Sequence, residues 1–215
     1  MSSLLVQSRS TGTDGGSGRE VRCAMLGLEL RAAPAEGQEG NIGVAVGYAA
    51  VFERFSVELW GFREKIRAGA FAAVLEDDVR ALVNHDSNLV IGRRKAGTLR
   101  LQEDALGLRC EIDLPDTTVG RDTKEQIRRG DIDGMSFSFV TDKEEWDWSD
   151  EDNPVRTIVA VAELYDVGPV TFPAYTDTSV AMRAIEGRSR EREGVIAAVC
   201  PRAVYEMRLR IAGAF

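Results

Sequence analysis

The sequence predicts a mainly β domain of α+β type with short helices around it, and three observations carry that expectation. Short apolar runs, several alternating with period two, recur between turn residues from Val21 to Phe172. Within that span only Phe62–Asp78 and Asp116–Gly130 have the apolar spacing or capping of helices. With 215 residues, 44% of them hydrophobic, the chain can bury one full core but is cramped for two.

Each element follows in order. Residues 1–20 are rich in Ser, Thr and Gly and hold too little apolar surface to offset their ordering entropy, so they are expected to form a disordered leader. Val21–Leu30 and Ile42–Phe52 read as two strands separated by the turn-rich stretch Pro34–Gly40. In Phe62–Asp78 the residues Ile66, Ala70, Phe71, Val74 and Leu75 share one helical face, which predicts a short helix. Val79–Val83, Leu89–Ile91, Thr98–Glu103 and Leu108–Leu114 read as antiparallel strands. Asp116–Gly130 predicts a helix with Thr117 or Thr118 as its cap and Gly130 as its stop. Asp131–Val140 is then a strand, Asp142–Asn153 an acidic turn, and Thr157–Val161 and Tyr165–Phe172 the closing strands. The last segment, Glu186–Phe215, reads as an amphipathic helix broken near Pro201.

Composition excludes several function classes. A formal net charge of -8 argues against a large phosphate-binding surface, so no direct nucleic-acid partner is expected. Cys23, Cys110 and Cys200 are odd in number and far apart, which suggests neither a disulfide framework nor a zinc cage and fits a reducing cytoplasm. No apolar run approaches the roughly 20 residues that span a bilayer, so no membrane partner is expected. No metal or organic cofactor is implied, because clustered ligands at metal spacing are missing from the pattern.

The chemistry gathers at two places. His85, in VNHDSNLVIG, is the one histidine of the chain, and any imidazole chemistry must use it. In DIDGMSFSFV, strand alternation turns Met135, Phe137 and Phe139 one way and Ser136, Ser138 and Val140 the other. Two hydroxyls therefore line a face that core packing does not need, and a serine there becomes a nucleophile only when a base accepts its proton. The cysteine alternative, Cys110 with His85, is set aside because Cys110 reads as out of step with the core positions of its strand.

Five fragments, in order, carry a resemblance. GYAAVFE at Gly47–Glu53, IRAGAF at Ile66–Phe71, NHD followed by Ile91-Gly92, LQEDALGLRCEIDLP at Leu101–Pro115 and ELYDVGPVTFPAYTDTSV at Glu163–Val180 flank the G-x-S-x-x-F strand of Gly134–Phe139. Together they resemble the prohead (capsid maturation) serine proteases of tailed bacteriophages, across about Ala45–Val180. That family is distantly similar to the herpesvirus assemblins, so the resemblance implies a single β-barrel with short surrounding helices. It also implies Ser136 as nucleophile and His85 as base. With one histidine the chain cannot copy the assemblin Ser-His-His triad, and the acidic position of the family's closing strand falls on Asp166. Here Asp-Val-Gly stands where the family carries Glu-Val-Ser, so Glu163 and Asp86 remain open as the imidazole's partner.

The same resemblance implies a role and a setting. The substrates would be the major capsid protein and scaffold segments, cut inside the assembling prohead in the host cytoplasm. A scaffold or assembly protein of the same fold is the alternative. Residues 21–183 would form the protease domain, and 184–215 a tail that docks or is removed by self-cleavage. The resemblance leaves a homo-oligomer open.

Overall fold

The computed structural model describes residues 18–24, 27–33, 40–57, 59, 61–150 and 152–171. The expected tail and nearly all of the expected leader lie outside them. The first strand, β1, spans Glu20–Ala24, and β2 spans Glu29–Arg31, so the apolar stretch expected as one strand contributes two. Then come β3 (Asn41–Val51), β4 (Arg63–Ile66), β5 (Arg80–Leu82), β6 (Val90–Arg93), β7 (Leu99–Glu103) and β8 (Gly107–Pro115). Helix α1 (Thr118–Arg129) precedes the long strands β9 (Gly134–Asp147) and β10 (Val155–Val170). No helix among the described residues is long and apolar enough to cross a membrane.

The fold is mainly β with one α-helix among the described residues, but its strands do not form a single closed barrel. A six-stranded sheet runs in the order β1-β9-β10-β5-β6, with β4 pairing to β10, and a four-stranded sheet runs β2-β3-β8-β7. Between the sheets one isolated bridge, Phe52 with Ile66, is formed among the described residues. The sheets share one core: Ala45, Ala49, Leu99, Leu108 and Ile112 on one side meet Ile91, Met135, Phe137, Phe139 and Val167 on the other. At Gly47 an added methyl group would lie 2.6 Å from the Met135 sulfur, so the Met135 side chain of β9 packs directly on the β3 backbone there.

Local chemistry explains where the sequence reading holds and where it fails. The Thr117 hydroxyl accepts from Gly120 N, and Gly130 ends α1 in the left-handed conformation, as the capping pattern requires. The helix expected over Phe62–Asp78 is instead β4 followed by successive tight turns. Ala70, Ala72, Val74 and Asp77 each donate a backbone N–H to the carbonyl three residues earlier, and Gly69 at φ +89° interrupts any helical run. Ala70, Phe71 and Val74 are buried nonetheless, since turns can turn apolar residues inward as a helix does.

The two closing strands are one, β10, because register shifts between Ile158 and Asp166 re-phase the alternation that suggested a break. Its partner β9 runs on to Asp147, so the acidic turn is shorter than Asp142–Asn153. Cys110 is in step with Leu108, Ile112 and Leu114, all fully buried, which corrects the reading that set it out of phase. Burial pushes its thiol pKa up to about 12, so it is no ready nucleophile.

Candidate active site

The site is built where three strands of the larger sheet meet. β9 and β10 are antiparallel, and their register sets Asp166 opposite Ser138 and Gly168 opposite Ser136. Cross-strand partners share a face, so the Asp166 carboxylate leans toward the serine hydroxyls. On the far side of β10, β5 pairs in parallel, Asp166 with Arg80 and Val167 with Ala81. It delivers the chain into a single 3-10 turn, Val83–His85.

That turn presents the imidazole. Asn84 and His85 both take left-handed backbone angles, φ 54° and 59°, uncommon for residues other than glycine. The Asn84 side chain compensates: its amide donates to Thr171 Oγ1 at 3.1 Å and its carbonyl accepts from Thr171 N at 2.8 Å. The turn is thus tied to the end of β10. Gly168 makes room for it, since a Cβ there would stand 1.9 Å from the Leu82 carbonyl oxygen.

The three side chains singled out in the sequence come together, although they are 51 and 81 residues apart. His85 Nε2 lies 2.6 Å from Ser136 Oγ, and His85 Nδ1 is hydrogen-bonded to Asp166 Oδ1. A carboxylate only accepts, so Nδ1 carries the hydrogen and Nε2 is left with a lone pair facing the hydroxyl. The Ser136 proton has a second acceptor, the Arg22 carbonyl of β1 at 2.9 Å. Ser136 and Ser138, on the face that core packing does not need, are nonetheless 0% exposed, and β1 lies alongside β9 with Cys23 opposite Ser136.

Asp166 is buried at 1% exposure. Burial pushes its pKa up, yet the hydrogen bond and charge of His85, the Ser138 hydroxyl and the Arg19 charge together hold it below its ordinary 3.8. It is therefore a carboxylate across the neutral range. The alternatives are engaged otherwise: Asp86 accepts from Asn88, and Glu163 is exposed and bonded to Tyr165. Chemically, the arrangement can move a hydroxyl proton to a neutral imidazole whose resulting charge faces a fixed carboxylate.

Sequence reasoning missed three contributors. Ser138 carries no role in the sequence reading, although its alternation with Ser136 already puts both hydroxyls on one face. Asn84 stands beside His85 in the sequence, and nothing in its spacing marks the part it plays. Arg19 fell inside the expected leader, and nothing in its sequence context marks it.

Comparison with known proteins agrees with the fragments. Residues 28–192 match the family described as Caudovirus prohead serine protease. No curated protein matches the chain. Among solved structures it is similar to the capsid assembly protease gp21 of bacteriophage T4, at 11% identity and a TM-score of 0.45, covering 80% of this chain and 98% of that one. Because the family match spans most of the sequence and all of the strands from β2 to β10, the chain belongs to the caudovirus prohead serine proteases, and is a protease of capsid maturation.

Proposed function

We propose that this protease is a serine endopeptidase in which Ser136 attacks the scissile carbonyl, His85 takes its proton and Asp166 orients and charges against the imidazole. The observation that carries the reading is the unbroken line of hydrogen bonds from Ser136 Oγ through both nitrogens of His85 to Asp166 Oδ1. In the first step the Ser136 proton passes to Nε2 as the hydroxyl oxygen bonds to the carbonyl carbon. The imidazolium then gives that proton to the leaving amine, and water repeats the cycle on the acyl-enzyme. Asp166 keeps Nδ1 protonated throughout, which leaves Nε2 as the basic nitrogen.

The substrates proposed are the capsid protein and scaffold segments, cut within the assembling prohead in the host cytoplasm. The similarity of the chain to the prohead protease family supports that setting. The tail, residues 184–215, is proposed as a segment that the enzyme removes from itself.

Co-expression with the major capsid protein of the same phage, followed by mass spectrometry of the fragments, tests the reading. Intact chain should yield discrete capsid fragments and a shortened protease. Ser136→Ala and His85→Ala should yield neither. Unchanged fragments from Ser136→Ala would remove Ser136 from the nucleophile's role.

A further inference from the structure

Beyond the three residues, the second oxygen of Asp166 has its own ligands. Ser138 Oγ donates to Asp166 Oδ2 at 2.5 Å. Arg19 donates to Ser138 Oγ from Nε at 3.1 Å and from Nη2 at 2.7 Å, and Nη2 also pairs with Asp166 Oδ2. A guanidinium has only donors and a hydroxyl has one proton, so the direction of every bond is determined. Arg19 fills the acceptor side of Ser138, and the Ser138 proton is left with one destination, the carboxylate. The Arg19 guanidinium lies 4.8 Å over the Tyr165 ring, which braces it beside Asp166. Arg19 comes from the segment just ahead of β1, outside residues 28–192 that match the family.

Resting on the triad reading above, we infer that Arg19 and Ser138 are positioning residues: they hold the Asp166 carboxylate against the imidazole and offset part of its charge, and so set the proton affinity of His85. A carboxylate turns freely about its last bond unless both oxygens are held. Oδ1 alone on His85 would not prevent a twist, whereas Ser138 and Arg19 on Oδ2 do. The charge argument runs in parallel. An unopposed carboxylate draws a proton onto its imidazole, and a neighbouring cation weakens that pull. The other groups around this pair are Ser136 on β9, Cys23 on β1, Asp86 in the turn of His85, Glu163 and Tyr165 on β10, and Arg80 on β5, whose guanidinium is turned to Asp78. Among the described groups, Arg19 is the cation in contact with Asp166.

The test uses the untagged full chain, because its one histidine then gives a single imidazole resonance to titrate. Arg19 is 38% exposed and precedes the first strand, so its replacement leaves the core intact. In Arg19→Ala the His85 titration and the acid limb of the rate profile should both move to higher pH. The kcat should fall about tenfold with KM held, the scale on which small misplacements act. Arg19→Lys, which keeps the cation, should return the titration toward that of the unaltered chain. Ser138→Ala should lower kcat and move the titration upward as well. A fall in rate with an unmoved titration marks Arg19 as merely structural and overturns the inference, as does a variant indistinguishable from the unaltered chain. Ser136→Ala is carried alongside: if it still cleaves, the triad reading fails, while the titration, which needs no turnover, still decides the coupling between Arg19 and His85.

Discussion

The carbonyl oxygen of Leu82 lies directly over Gly168, so close that a methyl group at 168 would meet it at 1.9 Å, with the Leu82 carbonyl carbon at 2.8 Å. Leu82 ends β5 three residues before His85, and Gly168 faces Ser136 across the β9–β10 ladder. The contact therefore sets how near the imidazole comes to the hydroxyl. Gly168→Ala should push the turn away from β10, destabilising the fold by about 1–3 kcal/mol, the scale of overpacking. It should also lower kcat about a hundredfold, as a misplacement near 1 Å does. Denaturant unfolding and a peptide cleavage assay read the two effects. Full activity in a normally stable Gly168→Ala protein would contradict the packing argument.

Asp166→Asn keeps the size of the side chain and removes its charge. An amide can offer its NH2 to Nδ1 and favour the wrong tautomer, and loss of that control in another serine protease costs about 10⁴-fold in kcat. A loss of about 10³–10⁴-fold in kcat is expected here, with far less change in KM. Near-normal turnover would move the orienting role to another group.

Asn84 combines left-handed backbone with two hydrogen bonds to Thr171. Two substitutions separate these contributions. Asn84→Gly accepts the backbone angle and loses the bonds, whereas Asn84→Ala loses the bonds and is strained by about 1 kcal/mol or more. Both should lower kcat, and Asn84→Ala should unfold at lower denaturant than Asn84→Gly. The reverse order of stability would mean that backbone strain is not what asparagine relieves.

β1 is anchored by a buried ion cluster on the opposite face of the sheet. Arg22 donates to Glu64 at 2.6 and 2.8 Å and to Glu20 at 2.7 Å, and Arg156 donates to Glu20 and Glu64. Glu64→Ala leaves two guanidinium groups short of a counter-charge and should cost about 3–5 kcal/mol. The loss should appear as a lowered denaturant midpoint with an unchanged slope. A midpoint within error of the unaltered chain would show that Glu20, with Glu144, which accepts from Arg156 Nε at 2.7 Å, suffices.

Acid should weaken the fold through buried carboxylates of both the site and this cluster. Asp166 is held below its ordinary 3.8 by His85, Ser138 and Arg19 against the upward push of burial, and Glu20 below its ordinary 4.5 by Arg22, Arg156 and Thr141 against the same push. A depressed folded value contributes stability above the ordinary value and loses it as pH falls through the depressed one. Unfolding free energy should therefore decline as pH drops below about 4. Asp166→Asn should show a shallower decline. An equal slope in that variant would take Asp166 out of the acid response.

Much of this molecule was legible in the sequence because it depends on local rules. Alternation in Met135–Phe139 sorted apolar rings from hydroxyls, the capping pair Thr117 and Gly130 bounded α1, and the short apolar runs predicted strands. The family fragments pointed to Ser136 and His85 and put the acidic position on Asp166 with Glu163 and Asp86 left open, because a motif gives residue types in order but not which carboxylate reaches the ring. What local rules could not decide was set by contacts between distant segments. Turns replaced a helix at Gly69, where tertiary burial of Phe71 and Val74 needed no continuous helix. Register shifts in β10 merged two expected strands and put Asp166 opposite Ser138. The pairing of β1 with β9 buried both serines and brought Arg19, 147 residues away in sequence, onto Asp166. Side-chain period and capping act over a few residues, whereas strand pairing and the approach of Leu82 to Gly168 are energies of the assembled sheet, so only the tertiary structure could decide them.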